Sequence, residues 1–266
     1  MSAVPQSADE PLLLIQDNGG VTTVTLNRPS QFNSLSKAML SALQETLDAI
    51  ARDAAVRVVV IAGAGKAFCA GHDLKEMRSD PSKEFQQALF RQCGKLMLTI
   101  TQMPQPVIAR VHGIATAAGC QLVSMCDLAV AADISKFAVS GVNLGLFCST
   151  PAVGVARNMG RKQALEMLLT GDFIDALEAQ RRGLVNRVVP LDALDAEIAR
   201  LAASLVAKSP VALAMGKQMF YRQVEMGIEA AYQYAAEVMA CNMVTEDAQH
   251  GIDCFIEKKK PEWKGR

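Results

Sequence analysis

Ala67-Phe-Cys-Ala-Gly-His-Asp-Leu-Lys-Glu-Met77 passes from small apolar residues through a glycine into a helix-prone run. His112-Gly-Ile-Ala-Thr-Ala-Ala-Gly-Cys-Gln-Leu122 makes the same passage further along the chain. Each stretch follows a run that reads as a strand and enters one that reads as a helix. Small residues at such a junction let a ligand approach the backbone closely, and a helix start exposes N–H groups that no intrahelical carbonyl satisfies. The pair therefore reads either as two tight turns of an α/β fold or as two backbone donors converging on an anion or a developing oxyanion. Spacing alone does not separate these.

Outward from the two junctions, the chain alternates strand and helix patterns. Leu12 to Gln16 and Val21 to Leu26 flank Asp17-Asn-Gly-Gly20, a hairpin signal. Leu40, Leu43, Leu47 and Ile50 recur at helical spacing behind Ser36, a candidate N-cap, and Arg57-Val-Val-Val-Ile-Ala62 reads as a buried strand. The progression repeats as a helix from Phe85 to Thr101, a strand from Pro106 to His112, a short helix near Gly119 to Cys126 and a strand from Leu128 to Ala132. Layered or spiral α/β architecture follows. Beyond Arg161 the pattern is nearly all helix, with Asp175-x-x-Glu178 as a capping box, Gly183 as a helix stop and one strand-like run from Val185 to Val189. The amphipathic stretches Leu191 to Ala207 and Pro210 to Val244 carry more apolar surface than a solitary helix leaves in water, which predicts packing on another subunit.

The 266 residues are half apolar and one-fifth charged, with 27 basic against 27 acidic side chains, which excludes disorder and a polyelectrolyte role. Zero formal charge gives no global field for nucleic acid. Seven cysteines, odd in number and never spaced C-x-x-C, argue against a disulfide framework or a structural zinc site. With an N-terminus lacking the pattern of a signal or transit peptide, they predict a cytoplasmic protein. No apolar run is long enough to span a bilayer, and His72, His112 and His250 lack metal-ligand spacing, so no metal is expected.

The two junction motifs, the second extended by its Cys126-Asp127, resemble those of the enoyl-CoA hydratase/isomerase, or crotonase, superfamily. Leu26-Asn-Arg-Pro29, Asn33-Ser-Leu35, Leu168-Leu-Thr-Gly-Asp172, Gly183-Leu-Val185 and Phe255-x-x-Lys258 follow in family order, so the resemblance covers the chain from about Leu12 to Trp263. Ala115 to Leu122 and Gly145 to Pro151 look most like the subgroup of enoyl-CoA hydratase domain-containing protein 3 and its bacterial relatives. The resemblance implies a polar lead over 1–11, an α/β core of ββα spiral turns with an acyl-CoA site over 12–190, and a helical oligomerisation region over 191–266 that builds homotrimers or dimers of trimers. It implies coenzyme A as part of the substrate, with no permanently bound cofactor. The thioester carbonyl would be held by the backbone N–H groups of His72 and Ala118, and the coenzyme A by Arg28, Asn33, Lys75, Phe255 and Lys258, the last from a neighbouring subunit.

Two positions depart from the family pattern. Where hydratases carry glutamates that position water and move its protons, this sequence has Gln121 and Gly141. Glutamine can hold a water but cannot take its proton, and glycine has no side chain. A positioned acid or base contributes about 10² to 10⁴ in rate, so hydration is hard to sustain without either. The expected function is an acyl-CoA thioester-processing protein of enoyl-CoA hydratase/isomerase type. The alternatives are an acyl-CoA-binding protein with weak or no hydratase activity, or another reaction of the superfamily using a base that the sequence does not locate.

Overall fold

The computed structural model describes residues 10–266, so residues 1–9 of the expected polar lead lie outside the described residues. β1 (Leu13–Asn18) and β2 (Val21–Leu26) form the expected antiparallel hairpin. Its turn holds Gly19 and Gly20 at φ +57° and +82°, the left-handed pair that a two-residue turn needs to match strand twist. α1 (Lys37–Ile50) starts where Ser36 Oγ accepts the Met39 N–H, and it buries Leu40, Leu43, Leu47 and Ile50 as the spacing requires.

The chain then repeats one pattern. β3 (Val58–Gly63) and β4 (Ala67–Cys69) lead into α2 (Leu74–Ser79) and α3 (Lys83–Gln102). β5 (Val107–Val111) and β6 (Ile114–Thr116) lead into α4 (Ala118–Met125), and β7 (Leu128–Ala132) and β8 (Lys136–Ala138) into α5 (Ser149–Asn158). In space, β3, β5 and β7 are parallel neighbours in a sheet ordered β1-β2-β3-β5-β7-β10, while β4, β6 and β8 are neighbours in a second sheet ordered β4-β6-β8-β9. Every turn lays one strand in each sheet, adds helix, and steps over by one strand. This is the expected ββα spiral. The short strands β4, β6, β8 and β9 are not resolved by the sequence pattern, because two or three residues cannot display a period.

The remaining elements are α6 (Arg161–Thr170), β9 (Ile174–Asp175), α7 (Ala176–Arg181), β10 (Arg187–Val189), α8 (Leu194–Val206), α9 (Pro210–Gln223), α10 (Ile228–Met243) and α11 (Glu246–Ile256). Alternate residues explain the core. Val59, Ile61, Val107, Ala109 and Ala131 join the main cluster with α1 and α3, while Val58, Val60, Ile108 and Val130 face Leu194, Ile198 and Leu201 of α8. A sheet covered on both faces needs strands apolar throughout, and each buried Val, Leu or Ile side chain is worth about 1.5–3 kcal/mol. α8 lies beyond residue 190 yet packs on this sheet, so the change of element type there is no break in packing. The stretch from Pro210 to Val244 reads as continuous helix in the sequence but divides before Gly227, the extended N-cap of α10. Among the described residues no single helix is long and apolar enough to cross a membrane.

Candidate active site

The spiral brings the two glycine motifs side by side through β4 and β6. Leu35 forms an isolated parallel bridge with His72, donating to Gly71 O at 2.7 Å and accepting from Asp73 N at 3.4 Å. In such a bridge both hydrogen bonds go to the neighbours of His72, so the His72 N–H faces away and has no protein acceptor among the described residues. Ala118 opens α4, where its N–H is free of intrahelical partners. Ala117, just before it, holds φ +50° and ψ −120°, a conformation costly for a residue with a Cβ. Gly71, at φ +93°, abuts this turn so closely that a Cβ there would lie 3.1 Å from Ala118 N, and a Cβ on Gly119 would run into Cys69 O. Glycine at both positions is what lets the two N–H groups approach each other.

His72 and Ala118 stand on the wall of a cavity of about 210 Å³, together with Phe90, Gly141, Leu144, Leu146, Phe147 and Cys148. A wider open groove of about 770 Å³ between the first sheet and α8, lined by small and apolar residues with Arg110 and Asp195 among them, lies away from both motifs. No carboxylate lines the smaller cavity; its titratable side chains are His72 and Cys148. The His72 ring stands T-shaped to Phe90 at 5.5 Å. Its Nδ1 is 3.3 Å from Leu35 O, which can only accept, so Nδ1 carries the proton and Nε2 the lone pair. Nε2 is shielded from solvent and has no partner. Burial lowers the His72 pKa, opposed by the Leu35 carbonyl and the charge of Glu76. Burial raises the Cys148 thiol pKa, opposed by the Gly141 N–H that donates to its sulfur at 3.3 Å.

The expected site residues divide into two groups. His72, Ala118 and Gly141 converge on the cavity, and Asp73 beside His72 caps α2, its carboxylate accepting from Lys75 N and Glu76 N. Gln121 does not line the cavity. It is 4% exposed at the interior of α4, with Oε1 buried and unpartnered. Asn33, expected on the nucleotide, is fully buried and committed: Nδ2 donates to Ala64 O, Ala67 O and Phe68 O, and Oδ1 accepts from Arg28 N. It staples the β3–β4 loop and has no polar atom left for a ligand. Arg28 pairs with Asp73 at 3.5 Å, beside the exposed Lys75 on α2. Phe255, 85% exposed in the last turn of α11, and Lys258, at φ +57° just beyond its end, line no part of this chain's cavity. The sequence reading missed Leu35, which aims the His72 N–H, and Leu144 and Leu146, which wall the cavity. The flanking Gly141 and Gly145 were the available signal for that wall.

Comparison with known proteins accords with this arrangement. The enoyl-CoA hydratase/isomerase family model matches residues 16–266. Enoyl-CoA hydratase domain-containing protein 3, mitochondrial, of Xenopus laevis is 45% identical over 95% of this chain and 86% of its own length. The crystal structure of an enoyl-CoA hydratase from Mycobacterium smegmatis superposes with a TM-score of 0.94 at 59% identity, covering 96% of this chain and 99% of that one. Human enoyl-CoA hydratase domain-containing protein 3 follows with a TM-score of 0.93 at 42% identity, covering 95% and 100%. The expected subgroup is borne out. The expected cytoplasmic location is overturned by the mitochondrial designation of the Xenopus relative: scattered free cysteines distinguish reducing from oxidising surroundings and do not choose among reducing compartments. With the spiral fold, the paired glycine junctions and these matches together, the chain belongs to the enoyl-CoA hydratase/isomerase family, whose members act on acyl-CoA thioesters.

Proposed function

We propose that the cavity takes the acyl end of a coenzyme A thioester and that the N–H groups of His72 and Ala118 hold its carbonyl oxygen, stabilising enolate-like charge. The observation that carries this reading is the pair of unpartnered backbone donors on one cavity wall, fixed by Gly71, Gly119 and the Leu35 bridge. Preorganised donors need no reorientation as charge develops, and losing one typically costs about 2.7–4 kcal/mol of transition-state stabilisation. Arg28 and Lys75 flank the α2 side as candidates for the coenzyme A phosphates. Phe255 and Lys258 enter the reading from a neighbouring subunit: exposed Phe220, Val224, Ile228, Tyr232 and Phe255 give α9 to α11 an apolar surface suited to a homotrimer.

Water addition is the weaker part of the family's chemistry in this chain. The position of one family glutamate is Gly141, where even a Cβ would sit 2.6 Å from Leu146 O and 2.7 Å from Cys148 Sγ. The position of the other is Gln121, off the cavity wall. The second reading is an ordinary hydratase, favoured by the name of the Mycobacterium smegmatis neighbour. Calorimetric titration with acyl-CoA and with free coenzyme A, beside loss of conjugated absorbance from trans-2-enoyl-CoA, tests both. Acyl-dependent binding with turnover well below the ordinary enzyme range of about 1–10³ per second supports the proposal. Failure to bind any acyl-CoA overturns it, and turnover inside that range establishes the hydratase.

A further inference from the structure

The cavity is apolar to a degree that holding a carbonyl does not require. Leu74 and Met77 of α2 and Phe90 of α3 line it from one part of the chain, and Leu144, Leu146 and Phe147 of the segment before α5 line it from another. Four of these are about half exposed or more: Leu74 at 52%, Leu144 at 63%, Leu146 at 49% and Phe147 at 48%. Ala118 and Cys148 on the same wall are buried, so the cavity passes from a buried floor to a leucine-rich rim. A single exposed apolar side chain needs no explanation, but four around one concave opening mark a binding surface. The rim shares its cavity with the two backbone donors, which ties its occupant to the thioester rather than to a neighbouring subunit.

Size and charge decide which acyl chain fits. An apolar cavity of about 150 Å³ holds benzene, so one of about 210 Å³ holds a chain of about eight carbons. No side chain on the wall carries a charge: its hydroxyls, Ser140, Ser149 and Thr150, cannot neutralise an anion, and burial keeps His72 and Cys148 uncharged near neutral pH. A carboxylate drawn into this site would have no cationic partner, and an unpaired buried charge costs far more than any neutral group. We infer that the cavity selects uncharged acyl chains of medium length, about six to ten carbons, with Leu144, Leu146 and Phe147 as the specificity-determining residues. The inference rests on the thioester reading above and names its substrate class. Beyond the carbonyl the chain lies against Phe90 and Met77 and is covered by the rim. Each methylene fully removed from water there tightens binding about fourfold, and carbons past the rim return to solvent and add little.

Calorimetric titration of the full chain with acetyl-, butanoyl-, hexanoyl-, octanoyl- and dodecanoyl-CoA tests the size. Hexanoyl- against adipyl-CoA, whose acyl chain ends in a carboxylate instead of a methyl, tests the charge. Octanoyl-CoA should bind at least about 30-fold more tightly than butanoyl-CoA, short of the full gain per methylene because the rim stays partly open, with less than about fivefold added at dodecanoyl. Adipyl-CoA should bind at least about tenfold more weakly than hexanoyl-CoA. Equal affinity from acetyl to octanoyl, a climb of unchanged slope to dodecanoyl, or adipyl-CoA held as tightly as hexanoyl-CoA overturns the inference and leaves the thioester reading intact. Absence of binding across the series sinks both. The paired variant Leu144→Ser, Leu146→Ser strips the rim and keeps the donors: octanoyl-CoA should weaken at least about tenfold while acetyl-CoA stays within about twofold. Equal weakening of the two shows a merely structural role and removes these leucines as specificity residues. Leu144→Ser alone, at the most exposed rim position, carries the same comparison should the pair fail to fold.

Discussion

The Gly141 N–H donates to Cys148 Sγ at 3.3 Å, and the same approach leaves no room for a side chain at residue 141. The Leu146 N–H returns to Gly141 O at 2.9 Å, so the segment from Ser140 to Cys148 closes on itself around this glycine. Placing a glutamate there therefore rebuilds the cavity wall before it supplies an acid. Gly141→Glu is expected to lose about 1–3 kcal/mol of stability, the usual cost of overpacking, without gaining hydration. Urea unfolding read beside enoyl-CoA absorbance checks this. A variant as stable as the parent that hydrates at enzyme-like rates shows that the wall accommodates the carboxylate.

Asn33 offers a sharper division between ligand and scaffold. Its amide bridges Arg28 N to the carbonyls of Ala64, Ala67 and Phe68, which sets β4 and hence Gly71 relative to β3. Asn33→Ala orphans several buried groups at about 1–3 kcal/mol each, so a loss of about 3 kcal/mol or more is expected. A residue holding nucleotide would show the opposite pattern, unchanged unfolding with weakened coenzyme A binding. Denaturation and titration of the same variant separate the two.

The contrast between Asn33 and Ser36 shows what the sequence discloses. Ser36, the Gly19-Gly20 turn and the Asp175 cap are legible because each acts on neighbours within a few residues, where propensity and spacing suffice. Asn33 acts on carbonyls more than thirty residues away, and no local pattern marks it. That His72 and Ala118 stand close together on one cavity was readable from motif identity. The aim of the His72 N–H was not, since the Leu35 bridge that sets it joins two loops through a single residue pair. Gln121 was placed by alignment with a family glutamate, and its distance from the wall depends on how α4 rotates against α5, a packing outcome.

Lys217 carries a different kind of dependence. Its Nζ lies 2.7 Å from Asp127 Oδ2 and also donates to Ile100 O and Gln105 O, while Tyr221 OH and Val107 N reach the same carboxylate. Burial pushes the Asp127 carboxyl up and the Lys217 ammonium down, each opposed by the charge of the other. Removing one partner strands the other, and about 3–5 kcal/mol is expected to be lost in Lys217→Met. The double variant with Asp127→Asn should recover a large part of that loss in thermal unfolding. Equal destabilisation in the single and double variants shows instead that the carbonyl contacts of Lys217 dominate.

Acid should unfold the protein earlier than its carboxylates require, because two histidines are held neutral. Burial lowers the pKa of His72, and burial together with the nearby Arg110 cation lowers that of His112, opposed in His112 by its hydrogen bond to Gly65 O and the charge of Asp195. The unfolded chain protonates both near pH about 6.5. Since the folded values lie lower, the unfolded state binds more protons as the pH falls below that point. The stabilisation is thus complete above about pH 6.5 and drains away toward the folded values. The ion-paired Glu197, held at about 2 by Arg200 and Arg187, lies outside this window, since it loses its contribution only as pH falls from its unfolded value near 4.5. The urea midpoint should therefore drop between pH 7 and 5, and a His72→Asn, His112→Asn pair should flatten that slope even if it lowers the plateau. An unchanged slope in the pair places the acid sensitivity outside these two imidazoles.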